Sequence, residues 1–373
     1  MDLPFPLREA VEGAARILVP DVPRRRGPGT RGPWPFYNPT MALSRDLSAV
    51  ILRGWPKLVR KAFDGLAATG IWGIRMSLEA RVGEVLFNDR SAASASLIRE
   101  NVRRNGLDAA VVSRDLRALL PEAPFDVVDV DPFGPPTPFL EAAFGAASPG
   151  SGVWVTATDT APLCGTYPAS CMKRYGARPL RCDEGSEIGV RILLGYCARI
   201  AAARGTTIRP IVAYAAEHYL RLHLLVASGA ERMHLGRVAR EGPGRFRVVD
   251  VEADARDAIG PLWLGPLMDA AVVHSLRPSG WTGVPAARLL AALKDEADLP
   301  PFFVTTDEIA AHLRGSPPKL DAFLEGLRAL GFRAARTHFH PRGVKTDAPP
   351  DDVVRVFRDR APSGSTGGSG PAT

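Results

Sequence analysis

The stretch FDVVDVD, residues 125 to 131, is an apolar run of strand length that ends on a carboxylate. Four other runs share its form: LVRKAFD (58–64), EVLFND (84–89), AAVVSRD (109–115) and GVWVTATD (152–159). Each ends at or beside an aspartate, and helix-like segments separate them. The clearest is SAASASLIRENVRRNG (91–106), which opens on a serine suited to an N-cap and closes on glycine. Such alternation predicts an α/β fold with a parallel sheet covered by helices on both faces. A helix over about 184–204 then leads into TIRPIVAYAAEHYLRLHLLVASG (207–229), which reads as two adjacent strands in a hairpin. That hairpin is expected to close the sheet with an antiparallel final strand.

The 373 residues are more than one ordinary domain needs. We expect an N-terminal segment (1–56) packed on a Rossmann-like domain (57–228), then a C-terminal domain (229–360) and a disordered tail (361–373). In the C-terminal part, MHLGRVAREGPGRFRVVDV (233–251) reads as a hairpin around Gly242–Gly244. Residues 305–346 follow the order helix, turn, helix, strand, a winged-helix outline in an α+β domain.

No apolar run approaches the roughly 18 residues of a membrane span, and the N-terminus lacks a secretory pattern. Cys164, Cys171, Cys182 and Cys197 form no C-x-x-C pair, so no metal site is expected and the thiols read as reduced and cytoplasmic. The net charge of +7 favours a polyanionic partner. Residues 1–60 hold ten Arg or Lys against five acids, and residues 166–223 hold nine against four, whereas 285–360 hold twelve against eleven. The candidate cations for contact with such a partner are therefore Arg24, Arg25, Arg26 and Arg31, and Lys173, Arg174, Arg178 and Arg181, rather than the winged-helix outline.

The first strand runs into FDGLAATGIWGIR, with Gly65, Gly70 and Gly73 in the turn and the next helix. Glycine lets backbone approach a ligand closely. The spacing is not G-x-G-x-x-G and no P-loop lysine follows, which disfavours a pyrophosphate. Asp64 ends the first strand, and Asp89, at the end of the second, suits two ribose hydroxyls. Asp115, at the end of the third, suits an adenine amino group. Adenosine recognition without phosphate recognition fits S-adenosylmethionine, and the sheet plan suits a methyltransferase.

The fourth strand delivers Asp131-Pro132-Phe133-Gly134 to the crevice beside the first. A carboxylate there can accept a hydrogen bond from an amine whose lone pair is delocalised into a ring, and can take its proton. Phe133 can stack on the base and fix the angle of attack.

PFYNPTMALSRD (35–46), GLAATGIWGIR (65–75), DVDPFGPP (129–136), TATDTAPLCG (156–165), GPLWLGPL (260–267) and RTHFHPRGVKT (336–346) together resemble the tRNA (guanine-26) N2-dimethyltransferase family in its short archaeal form. The resemblance implies methyl transfer from S-adenosylmethionine to N2 of guanosine 26 in tRNA, with a tRNA-binding C-terminal domain. It implies Asp131 as the catalytic carboxylate and a guanine sandwiched by Phe36 and Phe133. It implies Arg45 at the methionine carboxylate, Asp89 at the ribose, and Asp115 and Leu116 around the adenine. The family commonly has Gly-Ile-Arg-Gly-Ile-Arg where this chain has Gly70-Ile71-Trp72-Gly73-Ile74-Arg75, so Trp72 brings a ring to a cofactor position where relatives bring a charge. Without the resemblance, PFYNPTMALSRD reads as an irregular proline-rich loop.

Overall fold

The computed structural model describes residues 5–22, 32–119, 124–229, 234–249 and 258–362. Arg24, Arg25, Arg26, Arg31 and most of the expected tail lie outside the described residues.

The chain opens with an antiparallel hairpin, β1 (Leu7–Glu12) and β2 (Ala15–Pro20), followed by α1 (Ala42–Arg53). The alternation then appears as expected: β3 (Lys61–Asp64), α2 (Ile71–Ala80), β4 (Glu84–Asn88), α3 (Ala92–Arg104), β5 (Val111–Val112) and α4 (Leu116–Leu119). Next come β6 (Val127–Val130), α5 (Thr137–Ala146), β7 (Gly152–Ala157), α6 (Thr160–Leu163), α7 (Pro168–Tyr175) and α8 (Gly185–Ala203). The expected hairpin is β8 (Thr206–Ala216) and β9 (Tyr219–Ser228).

These strands form one seven-stranded sheet in the order β5-β4-β3-β6-β7-β9-β8. The final strand of the sheet in chain order, β9, is antiparallel as expected, but it does not take the edge. β9 is inserted between β7 and β8, antiparallel to both, and β8 takes the edge. A tight hairpin forces this reversal, and strand order across a sheet leaves no periodic mark in a sequence. Ser91 caps α3 as expected, its hydroxyl accepting from the Ser94 N–H. The helix α8 is apolar nearly all round and is buried along most of its length, as a helix between layers must be.

The glycines after β3 each have a task. Gly70 caps α2 with φ +80°, a backbone conformation that glycine adopts freely. Gly73 lets α2 lie against the sheet, because a Cβ there would come within 2.4 Å of the Phe87 ring.

The remaining elements are β10 (Leu235–Gly242), β11 (Arg245–Val249), β12 (Ile259–Trp263), α9 (Ala270–Ser275), α10 (Val284–Glu296) and β13 (Val304–Thr305). They continue through α11 (Thr306–Leu313), α12 (Leu320–Ala329), β14 (Ala334–Arg336), β15 (Gly343–Thr346) and α13 (Pro350–Arg360). β10 and β11 form the expected hairpin. α11, α12, β14 and β15, with β13 paired to β15, realise the winged-helix outline. Thr305 caps α11 by accepting from the Glu308 N–H. Two buried cores divide the chain. The larger spans the sheet, its helices and residues up to Phe302; the smaller holds the winged unit together with α13, centred on Phe323, Leu324, Leu327 and Phe357.

Candidate active site

The C-terminal ends of β3, β4, β5 and β6 carry Asp64, Asp89, Asp115 and Asp131, and the chain reverses direction across the sheet between β3 and β6. Their surroundings differ. Asp64 is buried and accepts from the Gly73 N–H at 3.0 Å, so it shapes the glycine turn from within. Burial, and then the neighbouring charge of Asp129, raise its carboxyl well above the usual range. Asp89 is half-buried, accepting from the Ala68 N–H at 3.0 Å and the Ser91 N–H at 2.9 Å. Asp115 is gripped by Arg117, whose hydrogen bonds pull its carboxyl down to about 2. Leu116 beside it is buried.

Asp131 is the exception. Its side chain is exposed and makes no hydrogen bond or ion pair among the described residues. Next to it Phe133 is 45% exposed and meets the Phe36 ring edge to face, with centroids 4.5 Å apart and planes at 69°. A base sandwiched between two ring faces needs about 7 Å, twice an ordinary carbon contact distance. The sandwich read from the resemblance is therefore closed in this conformation, and one ring must swing aside to admit a base.

Beneath Asp131 lies a pair that the sequence reading passed over. Asp129 is buried and bonds Arg221 of β9 at 2.5 Å. Arg221, 1% exposed, also donates to Thr156 Oγ1 at 2.7 Å and Ser48 Oγ at 3.3 Å. Burial lifts Asp129 to about 6, with Arg221 opposing and Asp131 adding to the rise. The signal available was two acids two residues apart in DVD, which share a strand face; the partner arginine lies 92 residues away.

The cofactor residues fit unevenly. The N–H groups of Ile71 and Trp72, in the first turn of α2, make no hydrogen bond among the described residues, so that helix end can receive a carboxylate. Arg45 is engaged elsewhere: Nε and Nη2 bind both Glu12 oxygens at 2.5 and 2.7 Å, and Nη2 also reaches the Asn38 carbonyl. Only its Nη1 is left for a ligand. Trp72 lies in the core with its ring centroid 6.0 Å from that of Trp154, its Nε1 covered and without a partner. Arg75 does not stand in for the missing charge. It is fully buried and donates to Glu12, Asp46 and Glu79.

The basic cluster after β7 separates by partner. Arg174 bonds Asp159 at 3.0 Å, whereas Lys173 and Arg181 are exposed without an ion pair among the described residues. Arg178 pairs its backbone with Gly260. All four cysteines are free thiols, and no group of three or more potential metal ligands occurs among the described residues. No helix among them is long and apolar enough to cross a membrane.

A sheet of this order, with one antiparallel strand next to last and a glycine turn lacking a phosphate-binding lysine, defines a Rossmann-like methyltransferase domain. Comparison with known proteins narrows the class. The chain belongs to the N2,N2-dimethylguanosine tRNA methyltransferase family, whose pattern matches residues 13–239 and 244–358. It is 37% identical to a tRNA (guanine(26)-N(2))-dimethyltransferase from Pyrococcus abyssi, over 94% of this chain and 98% of that one. A protein of the same description from Pyrobaculum aerophilum is 36% identical, over 93% and 95%. The solved structure of Trm1 from Pyrococcus horikoshii with S-adenosyl-L-methionine superposes with a TM-score of 0.84 at 34% identity, covering 94% of this chain and all of that one.

Proposed function

We propose that the protein transfers one or two methyl groups from S-adenosylmethionine to the exocyclic N2 of guanosine 26 in tRNA, in the cytoplasm, with Asp131 as the catalytic carboxylate. The observation that carries this reading is the freedom of Asp131: exposed, unpaired and beside two aromatic rings, while its neighbouring acids are engaged.

S-adenosylmethionine supplies an electrophilic methyl group on a sulfonium. The turn after β3 and the first turn of α2 would hold it, with Asp89 at the ribose and the ends of β4 and β5 at the adenine. The chain's own contribution is to the nucleophile. The guanine N2 lone pair is delocalised into the ring, so it attacks poorly. Asp131 accepts a hydrogen bond from this amino group, favours the pyramidal nitrogen and takes the proton released when the N–C bond forms. Phe133 and Phe36 hold the base plane once parted, which fixes the line of approach. Guanosine must leave its stack to reach them, and the RNA bears that cost. Arg221 keeps the Asp129 charge neutralised, so that Asp131 does not face an unpaired carboxylate from below.

Nucleoside mass spectrometry tests the reading on two tRNA transcripts, one with guanosine and one with adenosine at position 26. Incubated with the protein and S-adenosylmethionine, only the first should yield N2-methylated guanosine. Equal methylation of both, or of neither, overturns it.

A further inference from the structure

The helix α7 and its flanks present exposed side chains that this chemistry does not use. Tyr167, at its N-cap, is 59% exposed and Met172 is 48% exposed. Lys173, next in the chain to Met172, and Arg181 are exposed and unpaired among the described residues. Arg181 belongs to the same patch: a Cβ on Gly165 would meet the Arg181 nitrogen at 2.4 Å, so the Leu180–Arg181 backbone rests on the turn leading into Tyr167.

The C-terminal end of α7 is anchored to the reacting loop. Tyr175 Oη donates to Asp159 at 2.7 Å and Arg174 Nη1 to the same carboxylate at 3.0 Å. One residue earlier, Thr158 Oγ1 accepts from the Gly134 N–H at 2.7 Å and the Thr158 N–H donates to the Gly134 carbonyl at 3.2 Å. Gly134 follows Phe133. The helix that Tyr167 caps is thus tied to the loop that carries the ring beside Asp131.

The winged unit differs. Its Arg333, Arg336, Arg342 and Arg355 are each tied to an aspartate, and although Arg314, Lys319, Arg358 and Arg360 are exposed without an ion pair among the described residues, no large aromatic ring is exposed with them. Phosphates draw on unpaired cations, and unstacked bases draw on exposed aromatic faces. Both occur together on α7.

We propose that the exposed surface around α7 holds the RNA flanking the extruded guanosine, with Tyr167 stacking on a neighbouring base, Met172 at its edge, and Lys173 and Arg181 on phosphates. The proposal rests on the reading of the protein as an RNA amino-methyltransferase and names the surface by which the RNA is held.

The test compares the wild type with Tyr167→Ala, Tyr167→Phe and Lys173→Ala, using a tRNA transcript with guanosine at position 26. Affinity for tRNA is measured across a salt series, and S-adenosylmethionine affinity is measured in parallel as a check on folding. Tyr167→Ala should weaken tRNA binding about tenfold with the salt slope unchanged, since stacking carries no counterion term. Tyr167→Phe should bind as wild type. Lys173→Ala should weaken binding and lower the log–log salt slope by about one. All three should keep wild-type cofactor affinity. Tyr167→Ala binding within twofold of wild type overturns the proposal, and so does an equal loss in Tyr167→Phe. A wild-type protein that methylates no guanosine fails the reading of the site instead, and the affinity series still decides this one.

Discussion

At the scale of single residues, the acids at this sheet edge are separated by what already holds them. Asp64 accepts from Gly73, Asp89 from Ala68 and Ser91, Asp115 from Arg117 and Asp129 from Arg221. Only Asp131 keeps its whole accepting capacity for a substrate. Asp131→Ala is expected to slow single-turnover methyl transfer by about 10²–10⁴-fold, the usual worth of a positioned base. Calorimetric affinity for S-adenosylmethionine should stay within twofold; its loss would show that Asp131 shapes the cofactor pocket. Arg221→Met should behave differently, because it strands a buried carboxylate at a cost of about 3–5 kcal/mol. Adding Asp129→Asn should recover most of that loss in urea unfolding, and an unimproved double variant would refute the pairing. Sequence showed the free acid through the tetrapeptide around it. It hid Arg221, because RLHLLVAS reads as a strand whichever partner its arginine has.

At the scale of elements, the five strand runs and the α8 helix were legible because period and length mark them. The β1–β2 hairpin was not. LREAVE and ARILVP mix charged and apolar residues over six positions each, too few for a pattern, and their stability comes from a distant side chain. Asn101, buried on α3, accepts from the Leu18 N–H at 2.7 Å and donates to the Leu18 and Thr69 carbonyls at 3.0 and 2.9 Å. One amide thus ties the hairpin to the glycine turn. Asn101→Ala leaves buried polar groups without partners, at about 1–3 kcal/mol each, and should lower the urea midpoint together with cofactor affinity. Unchanged values of both would mean that water replaces the amide. Helix α1 was obscured by the prolines of PFYNP, which read as a loop continuing through ALSRD, whereas the helix begins at Ala42.

At the scale of the whole molecule, the winged unit is joined to the sheet by buried ionisable groups. His338 accepts from the Ala215 N–H of β8 and bonds Glu296 of α10, which also accepts from Thr337 and lies 3.8 Å from Lys345. Burial alone would raise the Glu296 carboxyl, but His338 and Lys345 outweigh it and bring it down to about 2. A carboxyl lower in the folded than in the unfolded chain stabilises above the ordinary value near 4.5 and loses that contribution as pH falls toward 2. The contribution is about 3 kcal/mol at neutral pH. The unfolding midpoint should fall as pH drops from the ordinary value near 4.5 toward 2, and Glu296→Gln should flatten that part of the curve; a parallel curve would place the acid sensitivity elsewhere. No local pattern announces such a joint, since its members lie up to 123 residues apart.

The buried charges around Arg75 carry a consequence for dissecting this enzyme. Glu12 from the hairpin, Arg45 and Asp46 from α1, and Glu79 from α2 meet on one guanidinium or beside it, and the far oxygen of Asp46 is held by the Gly283 N–H at 2.8 Å. A truncated chain ending at residue 228 would retain every acid and ring named for the reaction while exposing that carboxylate and stripping α10 from α1. Catalysis in this protein is therefore not a detachable cassette: cutting away the C-terminal half would disturb the Arg75 cluster that joins the hairpin, α1 and α2.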